Sequence, residues 1–227
     1  MSKIVAIANV AGGSGKSTTA HALAVACAEY GKKVLLLDLD VSTSLTFQLG
    51  LETERTTLAD FLQGAPINES QIRRVAERFD FIPSDSRISS LHEIDTFTKF
   101  LETLPKEYDL VLLDTPSTID QRLVMALDVS DLILIPVTPN LHSIRGANQV
   151  RKIAPNKSIS GFKIEMRSDA NTWDDSMEYL DALIPDSELV DRAQSDTSSV
   201  ITLNNQSEIA SAYRELAYSL LEKLELI

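Results

Sequence analysis

The chain has 227 residues, of which 44% are hydrophobic and 24% charged, and its 21 basic and 33 acidic residues leave a formal net charge of −12. This mixture predicts one globular domain over residues 1–227, while the acidity argues against a protein that coats itself in nucleic acid by bulk charge. No apolar run approaches the ~18 residues of a membrane-spanning helix, and the single cysteine, Cys27, excludes an internal disulfide and favours the cytoplasm.

Apolar runs alternate along the chain between short strand-like stretches and longer helix-like ones. Strands are predicted at 3–8, 33–39, 79–83, 109–114, 131–138 and 159–166. Helices are predicted at 17–30, 87–104, 119–128, 141–153, 172–183 and 207–225. Because the strand runs are continuous rather than alternating, they indicate strands buried on both faces of a parallel sheet. The sequence therefore predicts a three-layer α/β sandwich with a mostly parallel sheet, and residues 40–78 as its least regular part.

A glycine-rich turn lies between the first predicted strand and the first predicted helix. It reads Gly12-Gly13-Ser14-Gly15-Lys16-Ser17. Glycines let the backbone wrap an anion with its N–H groups, and the helix N-terminus adds its dipole. Lys16 is then placed to bridge the β- and γ-phosphates, and the Ser17 hydroxyl to ligate Mg²⁺. The turn predicts a nucleotide-binding phosphate loop of a deviant form, because Val10 stands where the standard spacing has a glycine.

Acidic residues end two of the predicted strands. Asp114 closes an aliphatic run and precedes Thr115-Pro116, the position from which a carboxylate holds the water shell of Mg²⁺ beside a phosphate loop. Asp38 and Asp40 end the second strand with period-2 spacing, so both point to one side at the carboxyl edge of the sheet, where open α/β sheets bind ligands. One of these two acids is a candidate for positioning an attacking water; the alternative is a pair of ordinary solvated acids.

At this point the sequence resembles the ParA/MinD group of P-loop ATPases. The resemblance covers nearly the whole chain, in order, through the segments 9–19, 34–40, 81–84, 108–116, 131–139 and 212–217. It implies a P-loop NTPase fold, ATP and Mg²⁺ as cofactors, an ATP-dependent sandwich homodimer, slow hydrolysis stimulated by a partner, and the spatial positioning of a cargo.

Site roles follow from the resemblance, position by position. It implies phosphate binding by Lys16, positioning of the attacking water by Asp40, and adenine contact by Pro185 and Asp186. The implied metal-site residues are Ser17, Asp38 and Asp114. The implied nucleotide-binding set is Ala11, Gly12, Gly13, Ser14, Gly15, Lys16, Ser17, Thr18, Arg167, Pro185 and Asp186.

Two positions depart from the family pattern. Ala11 stands where the family has a lysine that reaches across the dimer, and Asp40-Val41-Ser42 replaces the usual Asp-Pro-Gln. Two ATP molecules face to face bring close together up to about eight negative charges, so another cation must replace the lysine or the dimer is weakened. In this respect the sequence resembles the carboxysome-positioning ATPases called McdA, whose signature lysine is missing from the loop and supplied from the C-terminal half. On that likeness we assign the compensating role to Lys152, the alternative being a solvated helix-end residue.

The resemblance favours an ATPase that binds non-specific nucleoid DNA in the cytoplasm and positions carboxysomes through an adaptor of McdB or ParB type. A plasmid or chromosome partition ATPase is the first alternative. A MinD-like membrane positioner is the second, and the acidic balance of 207–227 argues against it. A metabolic enzyme on the same scaffold is the third. The DNA-contact candidates are Lys163, Arg192 and Arg214, with Arg167 beside them.

Overall fold

The computed structural model describes residues 2–90, 94–105, 107–166 and 172–227. Eight strands form one sheet in the order β3-β4-β2-β5-β1-β6-β7-β8, and every neighbouring pair is parallel except β3 with β4. The strands are β1 (Lys3–Ile7), β2 (Val34–Asp38), β3 (Arg73–Arg74), β4 (Asp80–Ile82), β5 (Leu110–Asp114), β6 (Leu132–Val137), β7 (Ile159–Ile164) and β8 (Tyr179–Ile184).

Helices cover both faces of this sheet. They are α1 (Lys16–Glu29), α2 (Ser44–Gln48), α3 (Leu58–Leu62), α4 (Ile94–Glu102), α5 (Gln121–Val129), α6 (Leu141–Ile153), α7 (Leu189–Ser195), α8 (Val200–Leu203) and α9 (Glu208–Lys223), with 3-10 turns at Glu69–Gln71 and Ser86–Ser90. One core joins the sheet to α1, α7, α8 and α9, and the other joins it to α3, α4, α5 and α6. The predicted three-layer sandwich with a mostly parallel sheet is confirmed.

Three central strands place their last residues side by side. In the strand register Ile7 pairs with Asp114, and Asp114 pairs with Asp38. The Thr115 hydroxyl then donates to the Ile7 carbonyl at 2.8 Å, which ties the end of β5 to the end of β1. Since parallel strands all end at the same edge, the loops after β1, β2 and β5 converge there.

One predicted element is wrong. Residues 172–183 were expected to form a helix, but they contain a turn followed by the strand β8. Leu180 and Ile184 are buried, and their spacing of four residues suits one face of a helix as well as one face of a strand. Parallel pairing with β7 decides the outcome in favour of the strand. No described helix is long and apolar enough to cross a membrane.

A buried polar contact joins α1 to the segment that carries α8. His21 is buried in α1, and its Nε2 pairs with the carboxylate of Glu77. The other carboxylate oxygen of Glu77 accepts a hydrogen bond at 2.9 Å from the backbone N–H of Ser199, the residue that caps α8. The contact therefore holds the α7–α8 segment, which borders the carboxyl edge of the sheet, against α1.

Candidate functional site

The turn between β1 and α1 curls around an open space. Gly13 and Gly15 have φ angles of 69° and 84°, the left-handed region that favours glycine, and Gly15 caps α1. The turn therefore aims the first backbone N–H groups of a 14-residue helix into this space, where their partial positive charge suits an anion.

The back of the turn is held by a buried asparagine. The Nδ2 of Asn9 donates to the Pro136 carbonyl at 2.8 Å, while its Oδ1 accepts from the backbone N–H of Ala11 at 2.9 Å. Helix α6 crosses the same point at Gly146, where a Cβ atom would lie 2.2 Å from the Asn9 Oδ1 and 2.6 Å from the Ala11 nitrogen. Only glycine allows this approach, and Ala11 is consequently buried between the turn and the helix.

Lys16 begins α1 and reaches back over the turn. Its side chain is buried, and Nζ donates to the Ala11 carbonyl at 3.4 Å. Burial lowers the pKa of Lys16 below its ordinary value, although the negative charges of Asp114 and Asp40 oppose that shift. A buried ammonium group with one long hydrogen bond retains donors for further partners, so an anionic ligand would fit beside it.

Two fully buried carboxylates, those of Asp38 and Asp114, lie at adjoining strand ends, and Asp114 is close enough to Lys16 to interact with its charge. Neither carboxylate oxygen of Asp114 has a hydrogen-bond partner among the described residues. Asp38 accepts from the backbone N–H of Asp40 at 3.0 Å and of Thr46 at 3.4 Å. Burial raises the pKa of Asp38 to about 7, and burial together with the nearby Asp38 raises that of Asp114 well above its ordinary range.

This donor set fits a divalent cation. The Asp114 carboxylate and the nearby hydroxyl of Ser17, the second residue of α1, offer the hard oxygen ligands that Mg²⁺ prefers. A bound cation also removes the cost of placing Asp38 and Asp114 together in a dry environment. No compact group of three metal-ligating side chains occurs in the described ranges, so the remaining ligands must come from water or a bound phosphate.

Two adjoining clefts share the turn as a common wall. The larger, of about 580 Å³, is lined by the phosphate loop from Gly13 to Thr18, by Asp40 and Ser117, and by Phe47 and Gln194 from helices α2 and α7. The smaller, of about 230 Å³, adds apolar side chains that include Ile164, Met166, Ile184, Pro185, Val190 and Ile209, together with the acidic residues Glu165, Asp186 and Asp191. The pair has the layout of a phosphate-binding cleft that continues into a cleft for a flat ring.

The structure brings most of the predicted nucleotide residues together. Gly13 to Thr18 and Asp40 line the larger cleft, and Pro185 and Asp186 line the smaller one. Asp38 and Asp114 are fully buried at the adjoining strand ends and line neither of these two clefts. Ala11 is the exception in the loop, since its side chain faces α6 rather than the cleft. Arg167 lies outside the described residues. Lys152 is exposed on the last turn of α6.

The three DNA candidates do not form one surface. The Lys163 ammonium lies 5.3 Å from the ring centre of Trp173 and 5.1 Å from that of Tyr179, on the α6 side of the sheet. Arg214 lies on α9, in the opposite layer, and bonds to Glu29 at 2.6 and 3.1 Å. Arg192 is exposed on α7. Their contact with DNA stays a prediction.

Sequence reasoning missed three residues that shape the site. Asn9 holds the loop through the Ala11 N–H, and Ser117 lines the larger cleft. Arg122 donates a hydrogen bond to the carbonyl of Leu39. Asn9 was visible only as part of the loop motif, and nothing in the sequence indicates which backbone groups it meets. Arg122 stands beside Asp120 and Gln121 at the polar start of a predicted helix, so no local pattern in the sequence distinguishes it.

Comparison with known proteins gives a consistent family. Residues 2–160 match a family model described as an AAA domain. The chromosome partitioning protein ParA of Caulobacter vibrioides is 27% identical over 253 residues, covering 97% of this chain and 94% of the relative.

Two solved structures share the fold. MinD from Pyrococcus horikoshii complexed with Mg-ADP superposes with a TM-score of 0.85 at 23% identity, covering 99% and 98% of the two chains. Apo McdA from Cyanthece superposes with a TM-score of 0.82 at 20% identity, covering 97% of this chain and all of that one. At these identities the likeness establishes the fold.

The unpaired carboxylate of Asp114 leads to a stability prediction. Because burial and Asp38 raise the pKa of Asp114 well above its ordinary range, folding at neutral pH must either protonate this carboxylate or leave it charged in a dry site, and both cost free energy. Replacing Asp114 by Asn removes this cost, so without added ligand the free energy of unfolding at neutral pH should rise by about 1–3 kcal/mol. Urea unfolding in the presence of a chelator measures it. Asp131→Asn is the matched control, because the Asp131 carboxylate already accepts from the Ile4 N–H at 2.8 Å and should gain nothing. A less stable Asp114→Asn protein would contradict this view of the site.

Proposed function

The chain belongs to the AAA domain family, and from that membership we propose that it is an ATPase of the partitioning and positioning type, with ParA, Soj and MinD among its relatives. The single observation that carries the proposal is the buried Asp114 carboxylate, with neither oxygen hydrogen-bonded among the described residues, next to the buried Lys16 ammonium. A Mg²⁺–nucleotide is the ligand that satisfies both groups at once, since it supplies a cation and an anion together.

Each residue of the cleft has a role in this proposal. The N–H groups of the phosphate loop and the Lys16 ammonium bind the phosphate oxygens. Ser17 and Asp114 hold Mg²⁺, with Asp38 beside them; when bound, the metal neutralises charge that develops on the phosphates. Asp40 lines the cleft, half-buried, and its carboxylate positions the attacking water.

The smaller cleft receives the adenine ring. Its aliphatic side chains provide apolar contact for a flat ring, and the backbone at Pro185 and Asp186 borders the ring edge. This is the position implied for these two residues by the sequence resemblance. MinD from Pyrococcus horikoshii, which shares the fold, was solved with Mg-ADP.

Exposed apolar side chains around the clefts support a face-to-face homodimer. They follow the carboxyl ends of four different strands: Val41 and Phe47 after β2, Ile119 after β5, Leu141 after β6 and Met166 after β7. Phe47 and Leu141 are 64% and 62% exposed, and apolar side chains grouped along one edge of a sheet are typical of a surface that a partner covers. A second copy of the chain would bury this rim and close both nucleotides inside the dimer.

Ala11 leaves the loop without a cation to reach across such a dimer. The exposed stripe of α6, which crosses the loop at Gly146, carries Arg145 and Lys152. We retain Lys152 as the residue that supplies the missing charge; it stands six residues beyond Gly146, roughly 9 Å along the helix axis.

For the cargo, we propose carboxysomes carried over nucleoid DNA with an adaptor of McdB or ParB type, because the missing loop lysine is the feature shared with McdA. Plasmid or chromosome partition is the alternative favoured by the ParA relative, which matches over 97% of this chain. Membrane positioning is disfavoured, because 207–227 carries four acidic and only two basic residues and an anionic lipid surface repels it.

The hydrolytic activity is tested with Lys16→Ala. Removing the ammonium that contacts the phosphates should lower the ATP hydrolysis rate at least about 100-fold, as loss of one transition-state donor does. Release of phosphate from ATP and Mg²⁺ measures it, and Lys33→Ala, an exposed lysine before β2, is the control. Equal rates for wild type and Lys16→Ala would overturn the proposed function.

Two assays test dimerisation and DNA binding: light scattering measures the dimer fraction, and retention of a non-specific DNA duplex measures DNA binding. Each assay is run with ATP, with ADP and without nucleotide. Wild type should dimerise and retain DNA only with ATP, and retention should fall steeply with salt because it depends on phosphate contacts. Lys152→Ala should lower the dimer fraction and the retained DNA in parallel, whereas Lys157→Ala should not.

Two outcomes contradict these assignments. Normal dimers in Lys152→Ala would remove Lys152 from the interface. A wild-type dimer that retains no DNA at low salt but sediments with anionic vesicles would replace the DNA role with membrane positioning.

A further inference from the structure

A buried arginine lies just outside the larger cleft, on the second residue of α5. The Arg122 side chain is 9% exposed, and its guanidinium makes two contacts. One nitrogen donates to the Leu39 carbonyl at 3.1 Å, and another pairs with the carboxylate of Asp120. Arginine is rarely buried unless its charge is paired, as the charge of Arg122 is with Asp120. The remaining nitrogen of its planar guanidinium can then donate to a backbone carbonyl of another loop.

The carbonyl that Arg122 contacts belongs to the peptide group joining Leu39 to Asp40. The N–H of that same peptide donates to the Asp38 carboxylate at 3.0 Å. The preceding N–H, that of Leu39, donates to the Asp114 carbonyl at 2.9 Å. Both sides of the peptide are therefore fixed, one by Arg122 and the other by Asp38. Because a peptide group is planar, its orientation sets the direction in which Asp40 leaves the backbone.

The other end of the contact belongs to the loop after β5. The Asp120 carboxylate caps α5 by accepting from the N–H groups of Arg122 and Leu123 at 3.0 and 3.3 Å, and it accepts from the Thr118 hydroxyl at 2.9 Å. Ser117, which directly precedes Thr118 in this loop, lines the larger cleft. Arg122 thus joins the loop after β5 to the loop after β2, and both loops border the cleft.

We infer that Arg122 is a positioning residue for hydrolysis: through the Leu39 carbonyl it holds the Asp40 carboxylate in the orientation that aligns the attacking water. The inference rests on the proposed function and adds to it a residue that touches neither nucleotide nor metal. Leucine at 122 would fill the same volume but leave the carbonyl without its donor. Lysine would keep the charge but lacks the planar fork that serves a carbonyl and a carboxylate together.

Arg122→Leu tests the inference, because it should lower kcat while leaving the affinity for ATP nearly unchanged. The kcat for ATP should fall about 10- to 100-fold, the cost of a small misplacement of a catalytic group. The Kd for ATP should change less than about threefold, because Arg122 does not itself line the cleft. Arg122→Lys should recover part of kcat. Arg73→Leu is the matched control, since Arg73 also pairs with a carboxylate and a carbonyl, but on the edge strand β3.

A double substitution separates a positioning role from a merely structural one. If Arg122 acts through Asp40, then in an Asp40→Asn background Arg122→Leu should change kcat by less than about threefold, whereas independent effects would multiply. Multiplied losses, or a wild-type kcat in Arg122→Leu, would overturn the inference. If Arg122→Leu folds poorly, the comparison is made with Asp120→Asn, which weakens the same contact.

The outcomes also separate this inference from the proposed function. A wild-type protein without ATP hydrolysis would refute the proposed function. A wild type that hydrolyses ATP, with Asp40→Asn impaired and Arg122→Leu unaffected, would refute the role of Arg122 alone.

Discussion

Two carboxylates that end neighbouring buried strands, one of them beside a buried lysine, impose the constraint on which the rest of this structure depends. The parallel sheet places Asp38 and Asp114 side by side, fully buried, where burial raises the pKa of each. Such a pair is costly in a folded protein unless a cation and an anion arrive together. The phosphate loop and Lys16 prepare the anion site at the same edge. The folded protein therefore contains buried charged groups that a bound ligand would compensate.

The loop itself depends on contacts from behind. Asn9 fixes the backbone at Ala11, and the absence of a side chain at Gly146 lets α6 pack directly against it. This packing buries position 11, which explains in physical terms why a cation for the dimer interface would have to come from elsewhere. Helix α6, whose buried face makes this contact, carries Arg145 and Lys152 on its exposed side.

Much of the fold and of the ligand site could be predicted from the sequence, because both are encoded in local patterns. Continuous aliphatic runs indicated the parallel strands, and the glycine and lysine spacing indicated the anion-binding turn. The strand β8 was missed because the four-residue spacing of Leu180 and Ile184 suits a helix equally well. The sequence does not indicate the role of Arg122, because its partner is a carbonyl 83 positions away in the chain and no local pattern predicts such a contact.

The central claim is that the buried carboxylates are completed by a metal–nucleotide complex, and calorimetric titration with ATP tests it most directly. The account predicts that ATP binds at least about tenfold more tightly with Mg²⁺ than with a chelator, a difference of about 1.4 kcal/mol. Equal affinity in the two conditions would contradict it, because the carboxylates would then have no part in binding the ligand.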